Sequence, residues 1–120
     1  MPSLNMGSSS YSFDSQTIGN RAKEGRVGNF ALGNVRDGTF YPKYVGRSDS
    51  DLQAELKAKL STKSSTRQRF KFSYASSLRE AFEKECANYH DFNGLENENH
   101  PPRPEGQRYA CPNSSCQELE

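Results

Sequence analysis

The chain has 120 residues, a net charge of +1, seven Phe, six Tyr and no Trp, with a mean hydropathy of −1.00. Such a length and a hydrophobic content of 32% fit one small domain with a modest, aromatic-rich core, and no apolar run approaches the ~18 residues of a spanning helix. The first residues lack the apolar centre of a secretory signal, and three cysteines, an odd number, argue against a secreted disulfide framework, so a cytoplasmic, reducing setting is expected.

The small net charge conceals an uneven distribution. Residues 21–47 hold six bases and two acids, residues 57–71 hold six bases and no acid, and residues 78–106 hold seven acids and three bases. A basic first half facing an acidic second half suits a polyanion-binding surface beside a carboxylate or metal site. A merely solvated surface would look the same.

In chain order, residues 1–20 are rich in Ser, Asn and Gly and predict a flexible leader with a short strand near Tyr11–Phe13. Gly28–Val35 and Thr39–Val45 predict two strands around the turn Arg36-Asp37-Gly38. A three-residue loop there would place Phe30 opposite Tyr44, whereas a two-residue Asp37-Gly38 turn would set Phe30 opposite Val45. The three-residue loop is preferred, for the reason given below. Pro42 cannot donate to a ladder, so its position belongs to an edge or a bulge. Ser48, Asp49, Ser50 and Asp51 offer caps for a helix to about Leu60, striped by Leu52, Leu56 and Leu60. Residues 69–74, RFKFSY, alternate as a half-buried strand with Phe70, Phe72 and Tyr74 on one face and a basic outer face. Ser77 with Glu80 predicts a capping box opening a helix to about Tyr89. Its apolar stripe, Leu78, Ala81, Phe82 and Tyr89, contains one acid, Glu85, which is costly there unless paired, protonated or bound to metal. Residues 93–120 form a proline-rich tail that wraps the domain of residues 21–92.

GNF in one strand, YVG closing the next, a leucine-striped helix, a further strand and a helix reading EAFEKE resemble the GIY-YIG nuclease superfamily, over residues 28–92. The resemblance implies an α/β (α+β) domain, a small three-stranded antiparallel sheet flanked by helices, that cuts phosphodiester bonds with one divalent metal. It also implies that the two signature aromatics stand together, hence the preference for pairing Phe30 with Tyr44. Position by position, Tyr44 matches the second signature tyrosine, Gly46 the closing glycine and Glu85 the glutamate that holds Mg²⁺ or Mn²⁺. Two positions depart: Phe30 lacks the hydroxyl of the first signature, and Glu55 stands near the family's helix arginine, for which Arg47 or Lys59 would substitute. Nucleic acid, DNA in the first instance, is the implied partner.

Lys57, Lys59, Lys63, Arg67, Arg69 and Lys71 are the candidate phosphate contacts, which position a nucleic acid without reading its sequence. Each residue also has a plainer reading: Tyr44 as a packing aromatic, Glu85 as a surface acid paired with Lys59 or an arginine, the bases as a solvated face. Independently, Cys86 and His90 lie four apart on one helix face, and Cys111 and Cys116 share a loop. Together they make a Cys₃His set for structural zinc, with His100 a rival ligand; against it stands a core Cys86 with free tail thiols. Three readings follow: a metal-dependent endonuclease, a degenerate module that binds DNA or RNA without cutting it, and a zinc-stabilised protein-interaction domain.

Overall fold

The computed structural model describes residues 4–7, 9–92, 95–97, 100–102, 104, 106, 109, 111 and 112. Its elements are β1 (Tyr11–Ser12), α1 (Ser15–Arg21), β2 (Gly28–Arg36), β3 (Thr39–Ser48), α2 (Leu52–Ala58) with a 3₁₀ turn (Lys59–Thr62), β4 (Arg69–Tyr74) and α3 (Leu78–Asp91). The strands form one antiparallel sheet in the order β1-β4-β2-β3, so β3 is an edge. The architecture is α+β: α1 and α2 cover one face of the sheet and α3 the other. The sheet has four strands rather than the expected three, because Tyr11 and Ser12 pair with Phe70 and Arg69.

Alternation decides which side chains go to which layer. Phe30, Leu32 and Phe70 join Phe13, Ile18, Leu52 and Leu56 in the core under α1 and α2, with Tyr11, Tyr44, Leu60, Phe72 and Tyr74 packed around them. Ala31 and Val45 form the second, smaller core with Leu4 and Met6, flanked by Tyr89 and Phe92. The expected leader thus splits into β1, α1 and buried anchors. Phe13 and Ile18 are fully buried, and Asp14 caps α1 by accepting from the Thr17 amide at 2.7 Å. A few apolar anchors in a Ser-rich segment suffice when each fills the core.

The hairpin turn is the two-residue one. Asp37 and Gly38 both have positive φ, 50° and 78°, as a type I′ turn demands, and Arg36 pairs with Thr39. The expected three-residue loop and the Phe30–Tyr44 pairing are therefore overturned: Phe30 pairs with Gly46 and Leu32 with Tyr44. Asp tolerates the left-handed region well enough to serve the tighter turn. Yet the two aromatics do meet, with ring centroids 6.1 Å apart and planes 24° from parallel. The register shifts between Leu32 and Gly33, opposite Tyr44 and Pro42, leaving Lys43 as the extra residue of a bulge. One added residue moves Tyr44 onto the face of Phe30. Pro42 sits at this bulge on the edge strand, where its missing donor costs no ladder bond.

Gly46 does not end its strand, which continues to Ser48. It admits a ring instead: a Cβ at this position would overlap Phe30 Cζ and lie 2.8 Å from Cε1. Asp51 caps α2 through the Ala54 amide. Ser77 caps α3 through the Glu80 amide, while the Glu80 carboxylate accepts from the amide and hydroxyl of Ser76. The return half of the expected capping box thus reaches one residue further back.

Candidate functional site

Edge strand β3 sends Tyr44 and Gly46 to the α2 side and Val45 and Arg47 to the α3 side. Residues from both layers meet along this edge in a cleft of about 200 Å³, lined by Phe30, Tyr44, Arg47, Glu55, Lys59 and Glu85 among others. A larger hollow of about 590 Å³ adjoins it and shares Tyr44, Glu85 and Pro102. Tyr44 and Glu85, both assigned to the site by the resemblance, line the same cleft.

Glu85 lies on the inward face of α3 beside Ala81, Phe82 and Cys86 and is 7% exposed. Arg47 Nη1 donates to Glu85 Oε1 at 2.6 Å, and Arg47 Nε donates to Asp49 Oδ1 at 2.8 Å. The guanidinium carbon lies 5.3 Å from the Phe82 ring centroid. Burial pushes the Glu85 carboxyl up to about 7, against the pull of Arg47. Burial also disfavours the Arg47 charge, but Asp49 and Glu85 outweigh it and raise its affinity for the proton. The inward acid is therefore paired, with Arg47 rather than Lys59. Among the described residues Glu85 Oε2 accepts no hydrogen bond.

Tyr44 carries two cations on its ring, Lys59 Nζ at 5.3 Å and Arg67 Cζ at 4.8 Å from the centroid. Lys59 also stands 3.7 Å from Glu55, and Arg67 Nε donates to Glu96 at 2.7 Å. The remaining expected phosphate contacts are dispersed. Lys57 and Lys63 are exposed beyond the cleft. Arg69 donates to the Ser10 hydroxyl and carbonyl, and Lys71 to the Gly7 carbonyl, on the α3 side of the sheet. The expected basic outer face of β4 is covered by the N-terminal segment. Lys59 and Arg67 are the two of the six that line the two hollows.

The wall of the larger hollow was not legible in sequence. Asn97 lays its side-chain amide against the edge of β3: Val45 N donates to Oδ1 at 3.0 Å, and Nδ2 donates to the Val45 carbonyl at 2.8 Å. The Glu96 amide donates to the Lys43 carbonyl beside the bulge. One asparagine thus imitates a neighbouring strand, covering an edge that otherwise invites foreign pairing. His100, Pro101 and Pro102 continue the wall. A buried amide, Asn29 of the GNF motif, ties β2 to α3 through the Ala81 carbonyl at 2.8 Å.

Of the expected zinc set, Cys86 and Cys111 come together with His100, the rival ligand, all three donor atoms lying within 4.8 Å of one another. His90 is outside that group, and Cys116 lies outside the described residues. No described helix is long and apolar enough to cross a membrane. Comparison with family models, curated proteins and solved structures gave no match.

Proposed function

We propose that the β3-edge cleft binds the phosphodiester backbone of nucleic acid, DNA in the first instance, and hydrolyses it with a divalent metal, in a GIY-YIG-like domain. The observation that carries this reading is the convergence of Tyr44, Arg47 and Glu85 on one cleft with Lys59 and Arg67 at its side. Glu85, with Asp49 or Glu55 nearby in the lining, would hold Mg²⁺ or Mn²⁺; a hard cation suits carboxylate and water oxygens. When bound, the metal supplies Lewis-acid stabilisation of charge on the phosphate and leaving oxygen. Arg47 exchanges its carboxylate partners for a phosphate oxygen, Lys59 and Arg67 hold neighbouring phosphates, and the Tyr44 hydroxyl orients the attacking water.

The missing hydroxyl at Phe30 and the acid at Glu55 slow this reaction. Loss of one such stabilising group commonly costs about two to three orders of magnitude in rate. A second reading, a module that binds without cutting, is favoured by the short Arg47–Glu85 pair, which occupies one oxygen of the carboxylate that a metal needs. Incubating supercoiled plasmid with Mg²⁺ or Mn²⁺, with Glu85→Gln as control, separates the two. Cleavage lost in Glu85→Gln supports the nuclease; salt-sensitive retention of DNA without cleavage supports the binder. Neither outcome leaves a protein partner as the remaining function.

A further inference from the structure

We propose that Cys86, His100 and Cys111 bind one zinc ion, which fastens the segment after α3 to the helix that carries Glu85. The inference is independent of the nuclease reading. Cys86 is fully buried on α3, and His100 and Cys111 are half-buried, yet residues 25 apart in sequence bring three soft or borderline donors within 4.8 Å of one another. Donors on a tetrahedral zinc stand about 3.5–3.8 Å apart, given Zn–S bonds of about 2.3 Å and Zn–N bonds of about 2.0–2.1 Å. The cluster closes onto an ion by movements of about 1 Å.

Two further observations point to a metal. His100 Nδ1 lies 2.9 Å from the Pro101 carbonyl; the tautomer that donates this bond presents Nε2 as the lone-pair nitrogen. A backbone carbonyl on the far side of the ring is the usual way a metal-bound histidine is oriented. His90, one turn along α3 from Cys86, has a buried Nε2 with no hydrogen-bond partner among the described residues, and its ring centroid is 5.3 Å from that of His100. A buried nitrogen without a partner is costly; His90 stands outside the three-donor group and would move toward the ion to be satisfied as its fourth ligand. Thiolate and imidazole together select zinc over the hard cations. On binding, two Zn–S bonds form, the two thiol protons pass to solvent, and the histidines give lone pairs without losing a proton.

The site would add a further tie between the described tail residues and α3. Pro101 and Pro104 are buried, Tyr109 packs on Phe82 with centroids 6.3 Å apart, and Glu96 and Asn97 bond to β3. Zinc would close this segment over the hollow that His100, Pro101 and Pro102 share with Glu85.

The test is elemental analysis of the full chain purified without chelator and under reducing conditions, followed by Co²⁺ substitution. The expected result is one zinc per chain, a cobalt spectrum of tetrahedral thiolate ligation, and Cys86 and Cys111 unreactive to a thiol reagent until chelator is added. Cys111→Ser, His100→Ala and His90→Ala should each weaken zinc binding at least tenfold while circular dichroism shows the sheet and helices retained. Cys86→Ser, in the core, is avoided. Zinc-free protein that takes up neither Zn²⁺ nor Co²⁺, undiminished metal binding in both Cys111→Ser and His100→Ala, or a Cys86–Cys111 disulfide in freshly purified protein would overturn the proposal.

Discussion

Replacing Gly46 by alanine tests whether the closing glycine of YVG is there to admit an aromatic ring. The new methyl would overlap Phe30 Cζ and stand 2.8 Å from Cε1 and 3.1 Å from Cε2, against the ~3.5–4.0 Å of a relaxed carbon contact. Phe30 is 1% exposed, so the ring must shift by nearly 1 Å against its neighbours. Overpacking of this kind costs about 1–3 kcal/mol, less ~0.4–1 kcal/mol returned by the smaller entropy of the unfolded alanine chain. A net loss of about 1–2 kcal/mol is expected, read as a lower urea midpoint with an unchanged slope. In a Phe30→Leu background the obstruction is gone, and Gly46→Ala should become neutral or stabilising, a coupling of about 1–2 kcal/mol in the double-mutant cycle. The displaced ring also pushes on Tyr44, so on the proposed reading any nucleic-acid affinity should fall with stability in the single mutant alone. Equal costs of Gly46→Ala with and without Phe30 would refute this packing role.

Other perturbations probe the edge strand and the caps. Arg47→Ala leaves Glu85 buried without its partner and should cost about 3–5 kcal/mol, measured by chemical denaturation. Adding Glu85→Gln should restore part of this, because an amide needs no countercharge. Asn97→Ala removes two hydrogen bonds to Val45 and should cost about 1–3 kcal/mol while accelerating hydrogen exchange at the Val45 amide; unchanged exchange would contradict the strand-mimic role. Asp14 is held below its ordinary value of 3.8 chiefly by the Thr17 amide. Its stabilising effect is present above the unfolded value and is lost as pH falls through the lower, folded one. In an acid series of unfolding curves Asp14→Asn should lack that component, and a slope identical to that of the parent would contradict it.

Strong local patterns made most elements legible: the alternation of RFKFSY, the leucines of α2 and the Ser77 cap each follow from side-chain periodicity or a single hydrogen bond. The inward acid was legible too, since Glu85 interrupts an apolar stripe and an interruption demands a partner. Which partner was not, because Arg47 reaches Glu85 from another layer, and only the register of β3 decides which face it takes. That register depends on the bulge at Lys43, which leaves no mark in sequence beyond Pro42. The same limit explains α1 and the tail. Phe13, Ile18, Asn97 and His100 are isolated residues in polar segments, and their contacts are made with strands and helices distant in the chain. Tail residue His100 joins Cys86 and Cys111 because the chain folds back, which spacing on one helix cannot reveal.

The most direct test of the phosphodiester-cleft account is nicking of supercoiled plasmid by purified protein with Mn²⁺, beside Glu85→Gln protein of verified fold. The account predicts slow, metal-dependent conversion to the open circle by the parent chain and none by the variant. Absence of nicking by the parent over the full range of metal and protein, or equal nicking by both, would contradict it.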